Sequence, residues 1–213
     1  MNYLVYDCEI IKCIPQKGVD NDPNYDYCDG WHDHANMGIA CIGWAHSNGS
    51  QGVIVIDCDD PRQEMIEMAI DTLYHGSHSL VGFNSKAFDD KLIYANRIYQ
   101  TIHPGFDRQA ITTDYDLLEL IRIAAYGSPK WQDCPKGYSY ALGRIGEANG
   151  FPKTGSGELA PKLWQDGKRQ EVIDYCLNDV KITRALFDLG LQGQLVDPNT
   201  GSKLDISGLV DES

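Results

Sequence analysis

Two acids stand one residue apart in the segment LVYDCEI, at Asp7 and Glu9. A strand sends alternate side chains to opposite faces, so in a strand that carries through them both carboxylates point the same way, and Cys8 points away. Two like charges in a half-buried place need compensation, and a hard divalent cation supplies it. The plainer account is that a buried strand, Leu4 to Tyr6, ends there and the acids open a solvated loop.

Two more groups bear on the same chemistry. Asn84, Lys86, Phe88 and Asp89 fall in VGFNSKAFDD, just after a short apolar run. Tyr175 and Asp179 are four residues apart in EVIDYCLNDVKITRALF, a spacing that sets a phenol and a carboxylate side by side on a helix flank. Each has a structural alternative. Asp89 suits a helix N-cap, a role compatible with metal binding, Phe88 suits packing of the following helix, and the Tyr175–Asp179 pair suits a partly solvated helix edge.

The elements that must position these groups follow from period and punctuation. MGIACIGWAHSNGSQGVIVID holds two apolar runs joined by Ser47-Asn48-Gly49-Ser50, a β-hairpin. Residues 61 to 75 carry Pro first and apolar residues at helical spacing, which predicts a helix. SLVGFN predicts a strand, and FDDKLIYANRIYQ a helix with Leu92, Ile93, Asn96 and Tyr99 on one face. TTDYDLLELIRIAA predicts a helix or a strand-helix turn. Residues 127 to 139 read as a loop, SYALGRIGEANG as a short helix closed by Gly150, and 151 to 167 as a long loop. A last long helix is predicted from about Arg169 to Leu189, with a core stripe of Val172, Cys176, Val180, Thr183 and Phe187. GQLVDPNTGSKLDI then predicts a small hairpin turning on Asp197 to Gly201. A hairpin sheet followed by alternating helices and strands is an α/β chain with a mixed sheet.

Composition bounds the function. The 213 residues are 42% hydrophobic and 23% charged, enough for one good core. No basic start precedes an apolar run, and no apolar run approaches the ~18 residues of a membrane span, so the expectation is a cytoplasmic chain with no membrane partner. Seven cysteines without a CxxC pair suit reduced, buried thiols. A net charge of -13 argues against whole-surface binding of a polyanion, yet permits a local site where bound metal and a few lysines reverse the sign. No Ser/His/Asp order, P-loop or GxGxxG is present, so nucleotide-triphosphate and dehydrogenase chemistry have no support.

Asp-x-Glu at a first strand, Asn-x-x-x-Phe-Asp after a middle strand and Tyr-x-x-x-Asp in a late helix, in that order, resemble the DEDD superfamily of 3′-5′ exonucleases. The tyrosine places the likeness in the DEDDy branch, and VGFNSKAFDD looks most like the exonuclease domain of family B DNA polymerases. The resemblance covers about residues 3 to 189. It implies a ribonuclease H-like fold, a mixed β-sheet flanked by helices, over residues 1 to 190. A polar insertion at about 15 to 36 and a tail at 191 to 213 have no counterpart.

The resemblance further implies two divalent cations, Mg2+ or Mn2+, held by Asp7, Glu9, Asp89 and Asp179. Asp7 would bridge both, Glu9 and Asp179 would hold the water-side ion, Asp89 would serve the second, and Tyr175 would orient the attacking water. Ile10, Asn84 and Phe88 would lie beside the last nucleotides, with Lys86 in the same segment. Lys153, Lys162, Lys168 and Arg169 are candidates for phosphate contact or an idle solvated loop. In the insertion, Cys28, His32 and His34, among Asp29 and Asp33, fit no standard zinc spacing and read instead as a flexible polar loop.

The function so implied is a metal-dependent 3′-5′ exonuclease on single-stranded ends, DNA favoured, releasing nucleoside monophosphates. The partners would be the strand's 3′ end and a polymerase or other replication or repair protein. An RNA 3′-end trimmer on the same fold is the enzymatic rival, because carboxylates are blind to the 2′-hydroxyl. A catalytically inactive module that binds nucleic acid or a polymerase is the rival of another class.

Overall fold

β1 (Tyr3–Ile10) carries through both acids instead of ending at Tyr6. The reason is its neighbour. β1 pairs with an antiparallel strand along its whole length, including Asp7↔Gly43 and Glu9↔Cys41, so the ladder holds the acidic end extended. The structure, a computed structural model, describes residues 1–56, 76, 78–96 and 112–210.

In chain order after β1 come α1 (His34–Met37), β2 (Ile39–His46), β3 (Gln51–Val55), β4 (Ser79–Gly82) and α2 (Asp89–Asn96). β5 (Tyr115–Asp116), α3 (Leu117–Tyr126), α4 (Leu142–Ala148), α5 (Ala160–Gln165), α6 (Arg169–Leu191), β6 (Leu195–Val196) and β7 (Lys203–Leu204) follow. The strand order of the main sheet is β3-β2-β1-β4-β5. β1 is antiparallel to β2 and parallel to β4, so the sheet is mixed and flanked by helices, as expected from the sequence. The helix expected over residues 61 to 75 lies outside the described residues, as does Tyr99. No helix among the described residues is long and apolar enough to cross a membrane.

The alternation of β1 sorts its side chains between two cores. Leu4, Tyr6, Cys8 and Ile10 join Met37, Ile39, Leu92 and Ile93 on the α2 side. Tyr3 and Val5 join Val180, Leu186 and Phe187 on the α6 side, the Tyr3 and Phe187 rings meeting edge to face at 4.9 Å. Asp7 and Glu9 continue that second row. α6 runs down the sheet as β1 runs up it, so its apolar end covers Tyr3 and its other end reaches the acids.

Two segments depart from the sequence reading. The loop expected over 151 to 167 contains α5, which carries Pro161 in its first turn and buries Ala160 and Trp164; six residues are too short to show a period. The stretch from 15 to 36 is docked onto the fold. Cys13 bridges Tyr27, Cys28 is buried, and the Gln165 side chain donates to Ile11 and Asp26 carbonyls while accepting from the Asp26 N–H. The tail hairpin buries Leu195, Leu204 and Ile206 in the α6-side core, and Ile206 N donates to the Gly190 carbonyl.

α6 lies close on β2 because Gly43 has no side chain. A Cβ there would stand 2.8 Å from Cys176 Sγ and 3.3 Å from the Cys176 carbonyl oxygen. Gly43→Ala is therefore expected to cost roughly 1–3 kcal/mol, the range for overpacking. It should appear as a lower urea midpoint at unchanged slope. Gly208→Ala, which meets nothing within 4 Å, is the control. Equal midpoints for the two would refute this close contact.

Candidate active site

Three elements deliver the acids. β1 presents Asp7, partly buried, and Glu9, 6% exposed, on the α6 side. α6 brings Tyr175, Cys176 and Asp179, all buried, down onto them. Asp89 opens α2, and its Oδ1 accepts the Cys8 N–H of β1 at 3.1 Å, just where β4 no longer pairs. Ligand atoms of Asp7, Glu9 and Cys176 lie within 4.8 Å of one another, the one such group among the described residues. Cys176 Sγ lies 3.6 Å from the Asp7 carbonyl oxygen.

A cluster of this kind is electrostatically costly without a cation. Burial, then the negative charges of Asp89 and Asp179, hold the Asp7 carboxyl well above its ordinary range. Burial and the charge of Asp7 do the same to Glu9, and burial pushes Asp89 to about 7. Burial raises Asp179 as well, against the lowering effect of Lys153. Burial, the charges of Asp179, Glu9 and Asp7, and a hydrogen bond to Asp179 push the Tyr175 hydroxyl far above an ordinary phenol.

Among the described residues, Lys153 answers this charge. Lys153 Nζ lies 2.6 Å from Asp179 Oδ2 and 4.8 Å from the Tyr175 ring centre. The backbone of the same loop rests on that ring, since a Cβ at Gly155 would stand 2.7 Å from Tyr175 Cδ2. Asp179 Oδ1 is buried with no hydrogen-bond partner. Asp179 stands outside the close group of Asp7, Glu9 and Cys176 but within electrostatic reach of both acids, and an orphaned carboxylate oxygen there suits a hard cation such as Mg2+ or Mn2+. A hydrogen bond with Cys41, burial and the charge of Asp7 push the Cys176 thiol up from its ordinary range.

The segment before Asp89 is organised by a residue absent from the sequence reading. Asp116 accepts the Asn84 N–H at 2.9 Å, the Lys86 N–H at 3.2 Å and, as the N-cap of α3, the Leu118 N–H at 3.1 Å. Asn84 takes the left-handed φ of 62°, which asparagine tolerates better than most residues, and its side chain is exposed. Lys86 pairs with Glu119 at 3.1 Å. Phe88 is half-buried, its ring 5.8 Å from that of Trp31. Ile10 is buried on the α2 side, opposite to the acids.

Of the four cations considered for phosphate, Lys153 belongs to the acid cluster, a pairing across 26 positions of chain that no local spacing signals. Lys162 sits over the Tyr25 ring at 5.3 Å and Arg169 over Trp164 at 5.1 Å, while Lys168 is exposed. In the insertion, Cys28 Sγ faces the Gly30 carbonyl and His34 faces that of His32, and the three side chains converge on no common point.

No family model matches the chain, and no curated protein matches it in sequence. Among solved structures it is similar to the family B DNA polymerase of the hyperthermophilic archaeon Pyrobaculum calidifontis. That likeness has 15% identity and a TM-score of 0.58, over 99% of this chain and 27% of that one. It is also similar to E. coli exonuclease I, in complex with a dA16 oligonucleotide, with 18% identity and a TM-score of 0.55, over 90% of this chain and 41% of that one. Such likenesses show a shared fold. The chain spans about a quarter of the length of the first protein and about two fifths of the second.

Carboxylates raised by burial make their folded-state contribution fully present below the ordinary range near 4 and lose it as pH rises, through about 7 for Asp89. A bound cation removes that loss. Thermal melting at pH 5 and pH 8, with chelator or with Mn2+, should therefore show a larger Mn2+ stabilisation at pH 8; an equal or smaller one would refute the cluster as a cation site. Lys153→Ala removes a screening charge, so it should lower the melting temperature in chelator and enlarge the Mn2+ increment. A variant that melts like wild type in both conditions would show that Lys153 does not screen the acids.

Proposed function

We propose that this chain is a metal-dependent 3′-5′ exonuclease that hydrolyses phosphodiester bonds at single-stranded ends, DNA favoured, releasing nucleoside monophosphates. The observation that carries the reading is the meeting of Asp7 and Glu9 of β1 with Tyr175 and Asp179 of α6, and of Asp89 of α2 with Asp7 through the end of β1. The motif order supports the DEDDy assignment. The shared fold with a family B polymerase and with an exonuclease bound to an oligonucleotide supports nuclease chemistry, the single-stranded substrate and a polymerase or repair partner.

Asp7, Glu9 and Asp179 would hold one divalent cation, with Asp7 and Asp89 holding a second. Such a pair supplies an activated water and stabilises the leaving oxygen. The chain's own residues do the rest. Burial, and then the neighbouring carboxylates, push the Tyr175 hydroxyl up, which suits it to orienting the attacking water by hydrogen bonding. Lys153, already beside Asp179, adds positive charge where the scissile phosphate must approach. Water attacks phosphorus as the P–O3′ bond breaks, and the leaving 3′-oxygen takes up a proton. Asp116 fixes the 83 to 88 turn, and through it the start of α2 that carries Asp89.

The test is degradation of 5′-labelled single-stranded DNA and RNA of one sequence, with Mg2+, Mn2+ or chelator, by wild type and Asp7→Ala. A metal-dependent ladder shortening from the 3′ end is expected. Asp7→Ala should be slower by at least ~100-fold, the scale on which groups aimed at transition-state charge act. No cleavage of either strand by folded wild type would overturn the reading in favour of an inactive binding module.

A further inference from the structure

The insertion and the start of α5 enclose a cavity of about 730 Å³, within the ~300–1,000 Å³ of small-ligand sites. It reaches the acid cluster at one point. Ile10, in its wall, lies on the α2 side of β1, away from the acids. Gly157, also in its wall, passes beside Tyr175, where a Cβ would stand 3.5 Å from the hydroxyl oxygen. Trp31 lines it from the insertion and is 69% exposed, with its ring set edgewise on Phe88, the residue before Asp89.

Its charge decides what it can hold. Asp20, Asp22 and Glu158 outnumber Lys17 and Lys162 in the lining. A phosphodiester backbone is repelled by that balance, whereas an uncharged base with a π-face is not, and an exposed indole is a good surface for it. Phosphate is better placed a few residues away, at the cation-seeking acids. A recognition surface that grips bases and not phosphates also accommodates the net charge of -13.

We infer that the insertion builds a base-binding groove beside the active site, in which Trp31 stacks a base near the 3′ end of a single strand. The identity of this ligand rests on the exonuclease reading, while the groove and its exposed indole do not. Three consequences follow. Binding is sequence-tolerant, short strands suffice, and affinity depends weakly on salt.

The experiment is anisotropy of 5′-fluorescein single strands of three and ten nucleotides, with the full chain in chelator so that nothing is hydrolysed. Trp31→Ala, Trp31→Phe and Trp131→Ala are compared, Trp131 being an equally exposed indole distant in sequence, at 68%. One stacked base is worth ~1–3 kcal/mol, so Trp31→Ala should weaken binding by about 5- to 150-fold. Trp31→Phe should recover most of it, and Trp131→Ala should bind as wild type. The slope of log affinity on log salt should be no steeper than about -1.4, two phosphates' worth on a single strand. In turnover with Mn2+ the Trp31→Ala loss should fall on KM.

Wild-type affinity in folded Trp31→Ala, a steeper slope, or no strand binding by wild type would each overturn the groove. Strand binding that depends on Trp31, with no hydrolysis in any metal, would leave the groove standing and sink the exonuclease reading.

Discussion

The approach of α6 to the sheet at Gly43 is the contact on which the site depends. Cys176 sits where a side chain on β2 would otherwise stand, and Gly43 is the partner of Asp7 in the ladder. Tyr175 flanks Cys176, and Asp179 lies one turn further along. A helix held out by one methyl group would lift both from the β1 acids. The core packing below it, from Val180 to Phe187 against Tyr3 and Val5, fixes the direction in which the helix descends.

That packing forces together charges that repel. The acids are buried by the same contacts that align them, so their ionised forms are costly in the folded chain and a cation is the natural remedy. Lys153 supplies part of it through a loop whose glycine lies flat on Tyr175. The ion pair thereby ties the 151 to 158 segment to the site. The partnerless Asp179 Oδ1 marks what Lys153 leaves unanswered.

On the reading proposed above, the acidity of the whole chain becomes a matter of where each part of a strand would be recognised. Phosphate would belong at the acid cluster. Bases would belong along Trp31, where the wall is apolar and aromatic and its charges are net negative. The insertion serves this division because Gln165 fastens it to the end of β1, beside the acids.

Local pattern was enough for much of this. Alternation along LVYDCEI set Asp7 and Glu9 on one face, the four-residue step set Tyr175 beside Asp179, and the apolar stripe of α6 was legible from Val172 to Phe187, because period and chirality act over a few residues. The strand end at Tyr6, the missing α5 and the docking of the 15 to 36 loop onto the fold escaped local pattern for the converse reason. The acidic end of β1 is prolonged by pairing with residues more than thirty positions away, and the insertion is docked by contacts with distant segments, among them the Gln165 side chain on Asp26 and the Phe88 ring on Trp31. Lys153 on Asp179, Asp116 beneath the Asn84 turn and Trp31 on Phe88 join residues between 26 and 57 positions apart. The sequence by itself determined which residues carry the charge and which way each faces on its own element. Only the tertiary structure decided which of them meet, since that depends on packing distances, such as the one Gly43 permits, that no local spacing encodes.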